Sequence, residues 1–187
     1  ITVYSKQRKI LGFKATCRTN PQQTRFILPN LTIPESKKEH LSKTDALTFE
    51  HDDKWIEFLK NEAGNLYPIN VCKLELSEIE YKGQKTLTYK GYKEITNNKK
   101  YNLLIVDGPF GSSHFSRSQA IDLCQNNLAD SFCVIIDDTE RVGERETVDE
   151  IKNKLKINNI IFLSTDYSSL KTHTLICSKN LSFLTSL

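Results

Sequence analysis

The sequence contains no methionine and begins at Ile1. From these two facts we expect a processed or excised piece of a longer chain, or an incomplete sequence. The chain also lacks an apolar run of the roughly 18 to 20 residues that a membrane-spanning helix needs, and its first residues lack the apolar stretch of a secretory signal. We therefore expect a soluble, cytoplasmic protein that makes no contact with membranes.

A large excess of charge of one sign is also absent, because 26 Lys and Arg residues stand against 23 Asp and Glu residues, a net charge of +3. Sequence-independent binding to nucleic acid needs a stronger positive footprint, so no nucleic-acid partner is expected. The five cysteines are odd in number and widely spaced, without the CxxC pattern of a zinc site. They are predicted to be free thiols in a reducing compartment.

Length and composition favour one globular domain with a single core, since the chain has 187 residues of which 38% are hydrophobic. Within that domain the N-terminal segment 1–45 is predicted to be irregular, with prolines throughout and only residues 25–28 resembling a strand. The recognisable core spans 46–177. The glycine- and lysine-rich segment 80–100 is predicted to be a solvated insertion, formed by a hairpin or extended excursion and then a short helix or loop.

Short apolar runs bounded by polar residues predict the strands. Six such runs are found, at 46–50, 70–74, 101–107, 132–137, 159–164 and 172–177. Helical spacing of apolar residues predicts helices at 116–128, at 146–155 and after Asp52, the last with Trp55, Ile56, Phe58 and Leu59 facing the core. Strands that are apolar on both faces and alternate with helices favour an α/β fold, with a mostly parallel sheet and helices on both faces.

Carboxylates follow several of the predicted strands. Asp107 follows one strand, and Asp137 with Asp138 follows the next. Ligands of open parallel sheets bind beyond the carboxyl ends of the strands, and three carboxylates there offer the hard oxygen ligands that suit Mg²⁺. Aspartates at strand ends also cap the next helix or bind loop amides, and the spacing leaves both interpretations open.

Other polar residues near strand ends are candidate site residues, and each could instead have a purely structural role. Glu50 ends a strand before a helix, where a carboxylate can accept the hydroxyls of a ribose. The turn at Gly108 would let a ligand approach the backbone, and His114 in the following Ser-rich loop is the histidine best placed for proton transfer, unless it is an idle surface residue. Three arginines either bind an anionic substrate or pair with nearby glutamates: Arg117, Arg141 and Arg145.

Three segments in this order carry a family likeness: FEHDDKWIEFLKN at 49–61, YNLLIVDGPFGSSHFSR at 101–117 and FCVIIDDTERVGERETVDEI at 132–151. Together they resemble the Rossmann-like S-adenosylmethionine-dependent methyltransferases, especially the metal-dependent O-methyltransferases whose fourth strand ends in VDGP and whose fifth ends in DD. The likeness covers 45–177. It implies a Rossmann-like sheet of seven strands with an antiparallel last strand.

The resemblance also implies an activity, which is methyl transfer from S-adenosylmethionine to an oxygen of a small-molecule or glycan acceptor, with help from Mg²⁺. The residues implied to bind the methyl donor are Glu50, His51, Asp52, Asp107 and Gly108. The metal ligands would be Asp107, Asp137 and Asp138, and for catalysis we name Asp107 and His114.

One motif of this family is missing from the chain as given. The family's first strand normally ends in a glycine-rich turn, whereas 25–45 contains no glycine and Gly12 has no second glycine beside it. This favours one alternative, a catalytically inactive methyltransferase-like domain that serves in binding or scaffolding. Another alternative is an α/β enzyme that uses the three aspartates and a metal for hydrolysis or nucleotide-sugar chemistry. The oligomeric state is left open.

Overall fold

The computed structural model describes residues 2–5, 45–63, 69–109 and 111–186. The elements in chain order are β1 Thr2–Ser5, β2 Asp45–Glu50, α1 Asp53–Ala63, β3 Ile69–Lys73, β4 Leu76–Tyr81, β5 Gln84–Tyr89, α2 Tyr92–Thr96, β6 Tyr101–Val106, α3 Gln119–Asn126, β7 Leu128–Ile136, α4 Val142–Ile157, β8 Phe162–Ser168, β9 Thr172–Ser178 and a 3₁₀ helix Lys179–Thr185. Each predicted strand and helix after residue 45 overlaps an observed one. The strand-like residues 25–28 and the glycine-free stretch up to residue 44 lie outside the described residues.

Seven strands form one sheet in the order β3-β2-β1-β6-β7-β9-β8, and β4 and β5 form a separate antiparallel hairpin. Within the large sheet, β2 pairs with β3 and β6 with β7 in parallel. The other four neighbouring pairs are antiparallel. The prediction of a Rossmann-like, mostly parallel sheet with helices on both faces is therefore wrong, and the chain has a mixed α/β fold.

The failure has a physical reason. Apolar runs locate strands but do not encode their direction, which depends on the partner that each strand finds. The short strand β1 was not predicted, and it inserts between β2 and β6 antiparallel to both. At the other end of the sheet, only the residues 169–171 separate β8 from β9, and so short a connection joins antiparallel strands.

Strand direction still brings three strand ends together. Because β1 is antiparallel to both β2 and β6, those two strands run the same way, and β7 runs parallel to β6. The carboxyl ends of β2, β6 and β7 therefore lie at one edge of the sheet. We call this the acidic edge, since Glu50, Asp107 and Asp137 follow or end these strands.

The core lies between the central strands and the helices α3 and α4, which pack against each other. Its fully buried side chains include Leu104, Val106, Val134, Ile136, Leu123, Val148, Ile151 and Leu155. Ile56 of α1 is buried, whereas Trp55 is 48% and Phe58 40% exposed and their rings meet edge to face at 5.5 Å. The expectation that Trp55 and Phe58 anchor the core is thus not met.

The hairpin β4–β5 and the helix α2 are less solvated than predicted. Thr86, Tyr89 and Tyr92 are buried. The Lys82 ammonium pairs with Glu150 on α4 at 2.6 Å, and the Thr86 hydroxyl donates to the carbonyl oxygen of Phe115 at 2.8 Å. The segment 80–100 is therefore bound to α4 and to the loop before α3.

Two expectations from composition can be compared with the described residues. Within them, no helix has the length and apolar character needed to cross a membrane. The described cysteines are Cys72, Cys124, Cys133 and Cys177, and all are free thiols, as predicted. Burial raises the pKa of the Cys133 thiol to about 12, so this thiol stays protonated at neutral pH.

Candidate functional site

Three aspartates meet at the acidic edge, and we call them the acid cluster: Asp107, Asp137 and Asp138. One carboxylate oxygen from each lies within 4.8 Å of the others. Asp107 follows β6 and the other two follow β7, its parallel neighbour, so the strand ends are adjacent. The backbone N–H of Asp137 donates to the carbonyl oxygen of Val106 at 3.0 Å, which fixes the two ends together. The grouping expected from the sequence is present.

Arg117 is the buried cation of the acid cluster, with 3% of its side chain exposed. Its Nη2 donates to Oδ2 of Asp138 at 3.0 Å and lies 3.8 Å from Oδ1 of Asp107. Its Nη1 donates to the carbonyl oxygens of Asp137 at 2.7 Å and Val106 at 3.3 Å. The guanidinium therefore ties both strand ends to the loop that precedes α3.

Arg117 and Asp138 both have left-handed backbone conformations, with φ of 61° and 58°. Such conformations cost about 1–3 kcal/mol for residues with a side chain, and they persist where the surrounding contacts determine them. The strained pair is also an ion pair. This combination indicates that the local structure is arranged to hold this charge contact.

Two further cations contact Asp138. The Arg141 guanidinium lies 3.1 Å from Oδ2, the oxygen that Arg117 also contacts. The Lys171 ammonium, from the connection between β8 and β9, lies 2.7 Å from Oδ1 of Asp138 and 3.5 Å from Oδ2 of Asp137. Both oxygens of Asp138 thus contact cations of the chain itself.

His173 contacts the remaining member of the cluster. Its Nδ1 lies 2.6 Å from Oδ1 of Asp137. The antiparallel register pairs Ile136 with Thr174. One position further along this register, Asp137 after the end of β7 lies opposite His173 on β9. Sequence reasoning assigned no partner to His173, because this contact depends on the register between two strands distant in sequence.

These charges shift the pKa values of the cluster in opposite directions. Loss of water around Asp107 raises its pKa to about 6, with further contributions from its hydrogen bond with Asp137 and from the charges of Asp137 and Asp138, and Arg117 opposes them. For Asp138, desolvation favours a higher pKa, but the hydrogen bond and charge of Lys171 and the charges of Arg141 and Arg117 outweigh it and lower the pKa. Asp107 therefore holds its proton more readily than Asp138 does.

The cluster fits a divalent ion at one position. Asp107 and Asp137 offer the carboxylate oxygens that Mg²⁺ prefers. Oδ2 of Asp138 is taken by two guanidinium groups, and its Oδ1 is held by Lys171. An ion ligated by all three aspartates would take the position of the Lys171 ammonium, and the metal ligation by Asp107, Asp137 and Asp138 stays a prediction.

Glu50, the residue expected to bind ribose, ends β2 at the acidic edge. Its Oε1 accepts the backbone N–H groups of His51 at 2.7 Å and Asp52 at 3.0 Å, and the His51 ring nitrogen Nδ1 lies 3.0 Å from the same oxygen. Within the described residues its other oxygen, Oε2, has no hydrogen bond. One oxygen of Glu50 thus shapes the turn, and its binding of a ribose stays a prediction.

Tyr89 connects the two halves of the acidic edge. Its ring lies 6.2 Å from the ring of His51, and a Cβ on Gly108 would stand 3.1 Å from its hydroxyl oxygen. Burial raises the pKa of Tyr89, as do the charges of Glu50 and Asp107, so the hydroxyl stays protonated. Tyr89 was missed in the sequence because it lies in the segment 80–100, whose pattern indicates only a hairpin.

Gly108 is fixed in place beside Asp107. Its carbonyl oxygen accepts a hydrogen bond from Nε2 of Gln119 at 3.0 Å, and the peptide bond to Pro109 is cis. Because a Cβ at this position would lie only 3.1 Å from the Tyr89 hydroxyl oxygen, a side chain here would require that hydroxyl to shift by a few tenths of an ångström. The close approach that the glycine permits is thus filled by the chain's own tyrosine.

Two other predicted site residues have structural partners. The carbonyl oxygen of Asp52 accepts the N–H of Ile56 at 3.0 Å, and its side chain accepts the N–H of Lys54 at 2.8 Å, which is a helix-capping arrangement. His114 contacts Glu146 on α4, with Nδ1 3.0 Å from Oε1. In the described residues of the chain, His114 has no contact with the acid cluster.

All three arginines pair with carboxylates of the chain itself. Arg117 and Arg141 bind the acid cluster and approach Glu144 at 3.8 and 3.9 Å. Arg145 pairs with Asp166 on β8 at 3.0 Å. Their carboxylate partners are therefore mainly aspartates from other elements and not the helical glutamates that the spacing suggested.

Comparisons of the chain with protein-family models, with curated proteins and with solved structures gave no match. The assignment of an activity therefore depends on the strand-end residues and their geometry.

Proposed function

We propose that the acidic edge binds S-adenosylmethionine and transfers its methyl group to an oxygen of a small-molecule or glycan acceptor. The observation that carries the proposal is the shared direction of β2, β6 and β7, since it places Glu50 and the acid cluster at one edge with Tyr89 between them. The proposal depends on these strand-end residues and not on a Rossmann sheet.

Each residue has a role that follows from its contacts. Glu50 uses Oε1 to hold the turn, and Oε2 accepts a hydroxyl of the donor's ribose. Gly108 and Tyr89 form the surface between Glu50 and Asp107 on which the donor lies. S-adenosylmethionine supplies a methyl group on a positively charged sulfur, which needs only an oxygen nucleophile aligned with it.

Asp107 accepts the proton of the acceptor hydroxyl. A general base works best when its pKa lies near the working pH, and the raised pKa of about 6 brings Asp107 closer to neutrality than an ordinary aspartate. Mg²⁺, if held by Asp107, Asp137 and Oδ1 of Asp138 in the position of the Lys171 ammonium, would lower the pKa of the acceptor hydroxyl instead. Asp107 is then a ligand and not the base, because a bound cation favours the ionised carboxylate.

A second candidate is an inactive binding or scaffolding domain. It is favoured by the cations of the chain itself, because Arg117, Arg141 and Lys171 already neutralise Asp138. In this candidate the carboxylates and the cations that pair with them hold β6, β7 and β9 together and bind no metal or methyl donor. The two candidates differ in whether the methyl donor binds.

Titration calorimetry of S-adenosylmethionine and S-adenosylhomocysteine into the purified chain, with and without Mg²⁺, tests the proposal. We expect micromolar binding. Glu50→Gln keeps an oxygen for the turn but removes the charge, and it should weaken donor binding about tenfold. Glu57→Gln, an exposed glutamate on α1, is the matched control and should leave the affinity unchanged.

The outcomes separate the candidates. If the folded chain binds neither compound, the methyl-transfer proposal fails and the binding module is favoured. If Mg²⁺ binds while the donor does not, the aspartates serve another metal-dependent reaction. Equal donor affinity in Glu50→Gln and the parent chain would remove Glu50 from the donor site.

A further inference from the structure

The strand β8, Phe162–Ser168, forms one edge of the seven-stranded sheet. It pairs with β9 along its whole length without a bulge, and within the described residues no second strand pairs with it. Natural sheets commonly protect their edges with proline, lysine, a bulge or a very short strand. β8 has seven residues and none of these features. Its outer edge can therefore accept another strand.

The hydrogen bonds of Thr172 on β9 show which backbone groups of β8 face outward. Its carbonyl oxygen accepts the N–H of Thr139 and its N–H donates to the Glu140 carboxylate, both at 2.8 Å and both on the side of β7. Thr172 lies opposite Ser168, so this pair has no backbone hydrogen bond between β8 and β9. Bonded and non-bonded pairs alternate along an antiparallel ladder. The N–H and C=O groups that point away from β9 therefore belong to every second residue of β8: Phe162, Ser164, Asp166 and Ser168.

Exposed apolar side chains lie at both ends of this edge. Ile161, the residue before β8, is 72% exposed, and Leu170, in the connection after it, is 76% exposed. Leu163, in the strand itself, is also exposed. Single exposed apolar residues are common, whereas several along one strand indicate a contact surface. The unpaired backbone and the exposed side chains are separate observations at the same place.

The edge is complementary to a second copy of itself. If two β8 strands pair antiparallel about a two-fold axis at Thr165, the first residue of each lies opposite the last residue of the other, and all seven residues pair. The outward-facing backbone groups then meet in hydrogen-bonded pairs. Leu163 lies opposite Tyr167 of the second copy, and the connection that carries Leu170 approaches Ile161. Each contact occurs twice because of the symmetry.

The charge of the strand also favours a second copy. Asp166 is the only charged residue of β8, and on its own chain it pairs with Arg145 at 3.0 Å and accepts the Thr174 hydroxyl at 2.6 Å. With the axis at Thr165 it lies opposite Ser164 of the second copy, so the two Asp166 carboxylates do not face each other. A charged peptide would find no unpaired opposite charge on this strand, whereas a second β8 needs none.

We propose that two copies of this chain associate through β8 and form one sheet that continues across both. The outward-facing backbone groups supply the hydrogen bonds, and the side chains of Ile161, Leu163 and Leu170 bury apolar surface beside them. Strand addition to an open sheet edge is a recurrent mode of protein association. This pairing does not depend on the proposed methyl transfer.

Sedimentation velocity of the purified chain, from low to high micromolar concentration, tests the proposal. One pair of edge strands makes a small interface, so we expect a dimer that dissociates on dilution. Ser164→Pro removes an N–H that points away from β9, a position where an edge strand tolerates proline. We expect this variant to keep the circular dichroism spectrum of the parent chain and to be monomeric where the parent is dimeric. A parent chain that is monomeric throughout, or a Ser164→Pro variant that dimerises like the parent, would overturn the proposal.

Leu170→Ser tests the apolar contacts without changing the strand. Leu170 is 76% exposed, so we expect an unchanged circular dichroism spectrum. The dissociation constant of the dimer should rise about tenfold, because two leucine side chains leave the interface. Phe58→Ser is the matched control, since Phe58 is also exposed but lies on α1, which packs against β2 and β3 at the opposite end of the sheet. An unchanged dissociation constant in Leu170→Ser, or an equal rise in both variants, would contradict association through β8.

Discussion

The acid cluster and the start of α3 differ in how many charged partners their buried polar groups have, although consecutive residues build both. Arg117 serves the acid cluster, and the next two residues, Ser118 and Gln119, lie at the start of α3. In the cluster, cations of the chain contact both oxygens of Asp138, although Arg117 Nε and Asp138 Oδ1 lack a well-aligned hydrogen bond within the described residues. At the start of α3, Ser118 Oγ and Gln119 Oε1 are buried with neither a hydrogen bond nor a charged partner there.

This difference separates two reasons for placing polar groups inside a protein. A buried charge network whose members satisfy one another specifies one arrangement and joins the elements that carry it. Unpaired buried oxygens give no such support, and each costs free energy. The ion pairs of the acid cluster therefore join the strands that carry them, whereas the buried oxygens of Ser118 and Gln119 join nothing within the described residues.

The largest effect is expected from Arg117→Met, which would break the network at its buried cation. Removing one partner of a buried ion pair costs about 3–5 kcal/mol, because it leaves the other charge buried and unpaired. Here Asp138 retains Arg141 and Lys171, so we expect about 3 kcal/mol, the lower end of that range. Urea unfolding followed by circular dichroism measures the change in the free energy of unfolding.

Arg145→Met is the matched control for Arg117→Met. Arg145 pairs with Asp166 where both side chains are partly exposed, and such pairs contribute about 0–1 kcal/mol. If the two variants lose similar stability, the buried network is not what distinguishes the acid cluster, and the comparison with the start of α3 loses its basis.

The positions of the strands and of the acid cluster could be predicted from the sequence, because both depend on local pattern. Apolar runs mark strands, and the aspartates follow them directly in the chain. The direction of the strands could not be predicted. It depends on the pairing of β1 with β2 and β6, which are distant from β1 in the sequence. Lys171 and His173 reach the cluster only through the register of β9 against β7.

The cleft between the β4–β5 hairpin, α2 and α3 could not be predicted for a related reason. Its lining residues include Thr88 of β5 and Gln119 of α3, and no spacing of residues in the sequence indicates that these two line one cavity. Burial and missing partners are properties of the assembled structure. Trp55 shows the reverse limit, because its helical spacing indicated a core position and the structure leaves 48% of it exposed.

An intermediate effect is expected from Lys171→Gln. This change removes one of the cations that balance the negative charge of the acid cluster, so a metal ion can bind there more tightly. Loss of the ammonium leaves Oδ1 of Asp138 and Oδ2 of Asp137 without their cationic partner. We expect the affinity for Mn²⁺, measured by electron paramagnetic resonance of the free ion, to rise about tenfold, or ~1.4 kcal/mol. Lys85→Gln, an exposed lysine paired with Glu78, is the control.

An unchanged Mn²⁺ affinity in Lys171→Gln would show that the ammonium does not compete with a metal at the acid cluster. The metal ligation proposed for Asp107 and Asp137 would then lose its support. The role of the aspartates in joining the strands would remain.

The smallest effect is expected from Asp107→Asn, and it depends on pH. The pKa of Asp107 is raised from 3.8 to about 6, so the folded protein holds this proton more tightly than the unfolded chain does. This pKa difference lowers the free energy of unfolding. The loss is absent below about pH 4, grows as the pH rises from about 4 to about 6, and is complete above about pH 6. Asparagine cannot ionise and avoids this cost.

Urea unfolding of Asp107→Asn and the parent chain at several pH values, in the presence of a metal chelator, measures this difference. Because 49% of the Asp107 side chain is exposed, solvent screens its interactions, and we expect a gain of about 1 kcal/mol for the variant at about pH 7 relative to about pH 4. A gain that is the same at both pH values would mean that Asp107 titrates normally. The negative charge of the acid cluster would then be fully balanced by its cations, and the proton-accepting role of Asp107 would lose its physical basis.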